Sequence, residues 1–121
     1  MTAHLYELYT VDDLNKALAE SSSRPVLIFK HSNTCSISTR AFAEFQTYLE
    51  QADPEVGYYL ITVQNARAVS NEAASRLAVE HQSPQAILVR ENRQRWNKSH
   101  FGISVSALAE AINGAKESAA D

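Results

Sequence analysis

Four consecutive apolar residues, Val26-Leu27-Ile28-Phe29, constrain this chain more than any other stretch. The run is too short for a helix and rich in β-formers, which is how a parallel strand buried on both faces reads. It is the predicted central strand. The next segment, Ser32-Asn33-Thr34-Cys35-Ser36-Ile37-Ser38, is polar and holds the only cysteine. Ile37, Ala41, Phe45, Tyr48, Leu49 and Ala52 then recur at helical spacing until Asp53-Pro54, so a helix is expected to begin at or beside Cys35.

The flanking segments extend this pattern. Leu5 to Leu8 reads as a short strand, and Thr10-Val11-Asp12-Asp13 has the form of a capping box opening a helix with Val11, Leu14, Ala17 and Leu18 on one face. Ser21 to Pro25 ends it with turn formers. Gly57 to Val63 reads as another strand, followed by a helix with Val69, Ala73, Leu77 and Ala78 on one side. Strand and helix alternate, which predicts a parallel sheet section with right-handed crossovers. The end of the chain differs. Ala86 to Val89 and Arg95 to His100, separated by Glu91-Asn92-Arg93-Gln94, should pair as an antiparallel hairpin, and Ser104 can cap a last helix with Gly114 as its stop. One domain over residues 1–114 and a frayed tail over 115–121 are expected.

With 121 residues and 45% hydrophobic content, the chain can bury a single core but not that of a second domain. A net charge of -3 with scattered Lys and Arg argues against nucleic acid. No stretch approaches a spanning helix and the start lacks a leader pattern, so no membrane is expected and a cytoplasmic location is. Glycines 57, 102 and 114 form no phosphate-binding loop. No metal-ligand spacing joins the four histidines to Cys35, and no metal is expected.

One cysteine cannot make an internal disulfide, which leaves a structural thiol, a metal ligand or a reactive thiol. Position favours the last: a helix N-terminus carries partial positive charge and unpartnered N-H groups, both of which favour thiolate. Cys35-Ser36-Ile37-Ser38 keeps the spacing of a CxxC redox pair with a hydroxyl in place of the second sulfur. Ser38 is expected to donate a hydrogen bond to the thiolate, and any mixed disulfide on Cys35 must be resolved by an external thiol.

Ser83-Pro84, just before a strand, reads either as a strand-initiating proline or as a cis-proline turn beside the cysteine. His31, at a strand end, is expected to be structural and Trp96 to be a core or sheet-face aromatic. Lys30, Arg40, Lys98 and His100 are candidate cations for an acidic small thiol. Three functions fit these residues: thiol-disulfide exchange, a non-catalytic binding module with an incidental cysteine, and a sensor oxidised at Cys35.

Taken together, His31 to Ser38, His81-Gln82-Ser83-Pro84-Gln85 and Trp96 to His100, in that order, resemble the monothiol bacilliredoxins of the YtxJ-like family, within the thioredoxin superfamily. The resemblance runs roughly from Leu5 to Ile112. It implies an α/β thioredoxin-like fold, a central mixed β-sheet with helices on both faces. It implies exchange with bacillithiol, or a similar small thiol, as co-substrate, no tightly bound cofactor, and thiolated proteins as clients. Cys35 would be the nucleophile, with Ser38 in the resolving position. Thr34 and Ser36 would surround the sulfur, and Ser83 and Pro84 would form a cis-proline platform for the bound thiol. The family pattern has proline after the cysteine, and here Ser36 replaces it.

Overall fold

Burial of the apolar run on both faces organises the architecture. The computed structural model describes the backbone of residues 3–120 and the side chains of residues 3–116. In chain order it contains β1 (Leu5–Glu7), α1 (Val11–Glu20), β2 (Val26–His31), α2 (Ser36–Leu49), β3 (Gly57–Thr62), α3 (Arg67–Leu77), β4 (Gln85–Arg90), β5 (Arg93–Ser99), a 3-10 turn (His100–Gly102) and α4 (Val105–Ala120). The sheet order is β1-β3-β2-β4-β5, so β2 lies in the middle. β1, β3 and β2 run parallel, while β4 is antiparallel to β2 and β5 to β4. The mixed sheet implied by the resemblance is therefore the observed one.

Strand periodicity sends alternate β2 side chains to different layers. Val26 and Ile28 pack with Leu14, Leu18, Val69, Ala73 and Leu77 of α1 and α3. Leu27 and Phe29 pack on the other face with residues of α2 and α4, among them Phe45, Leu108 and Ile112. There Phe29 and Phe45 stack with centroids 4.8 Å apart. Among the described residues no helix is long and apolar enough to cross a membrane.

The capping box at α1 forms as expected: Asp13 N-H donates to Thr10 Oγ1 at 3.1 Å and Thr10 N-H to Asp13 Oδ2 at 3.1 Å. Helix α1 then ends on Ser21, which is fully buried and reaches across the molecule. Its carbonyl accepts from Glu91 N-H at 2.7 Å and from Arg90 Nη1 at 2.8 Å, and its hydroxyl accepts from Asn92 N-H at 3.0 Å. These bonds hold the β4-β5 turn. Arg90 pairs with Arg93, so the turn has only two central residues, and Glu91 and Asn92 both have positive φ, 56° and 60°. The hairpin expectation is met with a shorter connection, because left-handed backbone at Glu91 has no signature in that side chain.

Two expectations about helix ends are corrected. Helix α4 runs through Gly114, which was expected to stop it, as far as Ala120; Asp121 lies outside the described residues. Gly114 has no positive φ, and a Cβ there would meet nothing within 4 Å. The helix is capped at its start, with Ala107 N-H donating to Ser104 Oγ at 3.1 Å. Conversely, Ala78 is exposed rather than on the packed side of α3, because it is the C-cap and turns into the left-handed region at φ 53°. Left-handed backbone strains alanine and suits glycine, whereas glycine inside a helix loses more entropy than alanine. Ala78→Gly and Gly114→Ala should each stabilise the protein by about 0.5–1 kcal/mol. Urea unfolding of the two variants and their combination checks this, with the gains adding because the sites are independent.

Candidate functional site

The site begins where β2 ends. Cys35 is the N-cap of α2, with extended backbone at φ -113° and ψ 124°, rather than a member of its first turn. Its side chain makes no capping hydrogen bond and the thiol is free and half-buried. Its carbonyl accepts from Thr39 N-H at 3.0 Å and from the Thr39 hydroxyl at 3.2 Å, which fixes the residue while leaving the sulfur uncommitted beside the helix N-terminus.

The loop leading to Cys35 is tied down from two sides. Ser38 is fully buried, and its Oγ accepts from Ser32 N-H at 2.9 Å and lies 2.9 Å from His31 Nδ1. Ser38 Oγ is thus the acceptor from Ser32 N-H, and its own proton or its second lone pair meets His31 Nδ1 according to the imidazole tautomer. Burial lowers the His31 pKa, with Glu7 and Ser38 acting in the opposite direction, which favours the neutral imidazole. Its ring stacks on Phe42 with centroids 4.6 Å apart. The expected bond from Ser38 to the Cys35 sulfur is not made, because the hydroxyl is already used by Ser32 and His31.

Gln64, in the turn after β3, holds the other side. Its Nε2 donates to Ser32 Oγ at 2.6 Å and to Thr34 Oγ1 at 3.0 Å, and its Oε1 accepts from Asn33 N-H at 3.3 Å. Sequence reasoning missed this residue, since nothing in a polar loop 30 positions away marks one glutamine as the clasp. Thr34 and Ser36 flank Cys35 in the chain and both are exposed.

The other half of the site comes from the start of β4. Ser83-Pro84 is cis, as the second of the two readings of that dipeptide requires. Lys30 pairs with Gln85 across β2 and β4, so His31 and Pro84 lie one step beyond that pair, at the end of the sheet from which the cysteine loop departs. Pro84 is buried, and its carbonyl accepts from His100 N-H at 3.2 Å. Ser83 Oγ is buried with no hydrogen-bond partner among the described residues. Beside this end of the sheet is a cavity of about 190 Å³ whose lining includes Ile37, Arg40, His100 and Phe101. Arg40 sits over the exposed Phe101 ring, 5.7 Å from its centroid.

The four candidate cations separate on inspection. Arg40 and His100 line that cavity, and Lys98 is exposed on β5. Lys30 is fully buried on the opposite face of the sheet, where its Nζ reaches Ser70 of α3, and is removed from the group. Trp96 is half-buried against the α2/α4 core, as expected. Among the described residues no three His, Cys, Asp or Glu side chains converge to hold a metal ion.

A cysteine at a helix N-cap, in the loop that leaves the end of the sheet where a cis-proline precedes β4, is an arrangement suited to thiol chemistry. Comparisons with known proteins agree. A solved thioredoxin-fold protein proposed to be an oxidoreductase is 33% identical, with 88% of this chain and 92% of that one covered at a TM-score of 0.78. Thioredoxins of Trypanosoma brucei brucei and Fasciola hepatica share the fold at 10% and 17% identity, with TM-scores of 0.76 and 0.72. The first alignment covers 94% of this chain and 92% of that one, the second 91% and 98%. The sequence profile described as monothiol bacilliredoxin BrxC matches residues 6–108. With that match spanning most of the sequence, the chain belongs to the monothiol bacilliredoxin family of thioredoxin-fold thiol-redox proteins.

Proposed function

We propose that this protein is a monothiol disulfide oxidoreductase that removes bacillithiol, or a closely similar small thiol, from protein mixed disulfides. The observation that carries this reading is the uncommitted Cys35 sulfur at the α2 N-cap, with no second cysteine in the chain. The Cys35 thiolate attacks the small-thiol sulfur of the mixed disulfide. A new S-S bond forms between Cys35 and the small thiol, the old one breaks, and the client cysteine leaves as a thiolate that takes a proton from water. A second small-thiol molecule, as thiolate, then attacks the small-thiol sulfur of the adduct. It forms the free small-molecule disulfide and returns Cys35 as thiolate.

Each part of the site has a task in that sequence. Gln64 and Ser38 keep the Ser32 to Cys35 loop in place while the sulfur changes partner. Ser38 thereby serves the reaction as a positioning residue rather than a second redox centre. The cis Ser83-Pro84 segment, at the start of β4, is the platform for the bound thiol in this reading. Arg40 and His100, lining the cavity next to Ile37, supply donors for an acidic small thiol. The chemistry needs a supply of reduced small thiol, which fits the cytoplasm.

Incubation with oxidised bacillithiol, followed by intact-mass analysis, should give one adduct, located at Cys35, that free bacillithiol removes. No adduct, together with a Cys35→Ser variant that keeps every biological effect, would establish a binding module instead. Parallel reactions with glutathione disulfide rank the co-substrates.

The departure at Ser36 generates a second expectation. Position 36 is the first helical residue, where proline is favoured and its missing N-H costs nothing. Proline also requires the preceding residue to be extended, and Cys35 already is. Ser36→Pro should therefore fold without rearrangement and gain about 0.4–1 kcal/mol by restricting the unfolded chain. Thermal unfolding measures the gain, and the Cys35 adduct must still form.

A further inference from the structure

The buried lysine that the nucleophile does not use points to a second device. Lys30 projects from β2 onto the α1/α3 face, where it is fully buried. Its Nζ donates to Ser70 O at 3.0 Å and lies 3.2 Å from His81 Nδ1. The Ser70 hydroxyl is also 3.2 Å from that nitrogen. A lysine ammonium only donates, so Nδ1 is the unprotonated nitrogen of His81 and the ring proton sits on Nε2. The cross-strand partner of Lys30 is Gln85, also buried, and Gln85 Nε2 donates to Glu80 O at 3.1 Å. Two neighbouring strand residues therefore reach the same short segment, Glu80-His81, which leads directly into the cis Ser83-Pro84 peptide. Nothing in the exchange steps accounts for a charged side chain kept in the core at this point, and burying one costs free energy unless its bonds return it.

We propose that Lys30 and His81 are positioning residues for thiol exchange: their contact, with Gln85 beside it, holds the cis-proline segment in its substrate-binding position and releases it when His81 is protonated. The proposal rests on the reading of Cys35 as the exchanging thiol. The charged groups that face His81 are Lys30 of β2 and Arg67 of α3, with Ser70 as the neutral neighbour. Burial and these two cations lower the His81 pKa, and burial brings Lys30 down to about 8. At neutral pH the pair is thus an ammonium donating to a neutral ring. As the pH falls through the lowered His81 value, Nδ1 gains a proton, stops accepting and sets a second positive charge against Lys30. The hold is present above the ordinary histidine value and is lost at the acid end.

Steady-state exchange with a reporter protein carrying one bacillithiol mixed disulfide tests this in three forms. His81 is exposed as a whole, with only its Nδ1 side packed against Lys30 and Ser70, so His81→Ala and His81→Asn should both fold. Asparagine keeps an acceptor near the Nδ1 position and does not titrate. His81→Ala should raise KM by about fivefold, the equivalent of one hydrogen bond, with a smaller effect on kcat. His81→Asn should restore KM at neutral pH. Between about pH 5 and 7.5 the ratio of wild-type to His81→Asn KM, from which the thiolate fraction of Cys35 cancels, should rise toward acid. A KM for His81→Ala equal to wild type, or a ratio that stays flat, overturns the proposal.

A second measurement stands apart from the exchange activity. In Lys30→Met, removal of the neighbouring cation should raise the His81 pKa read by imidazole NMR. In His81→Ala the His100 amide, bonded to Pro84 O, should exchange faster with solvent. An unmoved His81 titration and an unchanged His100 amide refute the hold even if exchange itself is confirmed. Failure of the wild type to form a Cys35 adduct refutes the exchange reading while these two signals still report on the contact.

Discussion

Successive side chains of a strand point to opposite faces, and in this protein the last two residues of β2 put that rule to use. Lys30 turns to the α1/α3 layer and contacts His81; His31 turns to the α2/α4 layer and contacts Ser38 and Phe42. The first contact reaches the segment that carries cis Ser83-Pro84, and the second reaches the loop that carries Cys35. Both halves of the site are anchored on adjacent residues of one strand. That strand must be immobile for the arrangement to work, and Val26 to Phe29, with no exposed surface, make it so. Truncating Phe29 to alanine removes a stacked ring as well as buried area, a loss on the order of 3–5 kcal/mol.

The remainder of the architecture places two other elements against this anchor. Parallel β3 delivers Gln64 to the cysteine loop because its turn lies at the same end of the sheet as the end of β2. Antiparallel β4 starts where β2 ends, which is why a segment far along the chain begins at the end of the sheet from which the Cys35 loop departs. The distant Ser21 contact fixes the opposite end of the same hairpin, at Glu91 and Asn92. Thus Ser21, at the C-cap of α1, ties down the β4-β5 turn, and Lys30 of β2 contacts His81 in the segment before β4.

Much of this was legible in the sequence where the signal is local. The buried run at β2, the capping box at Thr10, the alternation of strands and helices and the cysteine at a helix start each follow from neighbours within one or two turns. The misses share a cause. Gly114 reads as a stop by residue type, yet the α4 face packs through Ile112 and the helix continues past it. Ala78 fits the helical period and is nevertheless the residue at which the backbone turns left-handed. Ser38 lies one turn from Cys35, but its hydroxyl is directed by a backbone N-H six residues earlier and by a strand-end histidine. Gln64 and Lys30 act over 30 positions or more. Periodicity reports which face is apolar; it carries no information about which distant donor will meet a given acceptor.

Ser38 links the shape of the loop to the proposed one-thiol chemistry. An oxygen at this position accepts a 2.9 Å bond from Ser32 N-H and stays within 2.9 Å of His31 in a fully buried setting. A thiol there would be a weaker acceptor and donor, with longer contacts, and would leave the half-buried Ser32 amide poorly satisfied. The hydroxyl is therefore more than a missing sulfur: it is the tie that gives the Cys35 loop its form. A chain that uses this tie has no resolving thiol at the CxxC spacing, so under the exchange mechanism turnover passes to a small thiol from solution. Opening the site to that small thiol, rather than closing a disulfide within it, is consistent with a half-buried Cys35 and with the cavity that begins at Ile37.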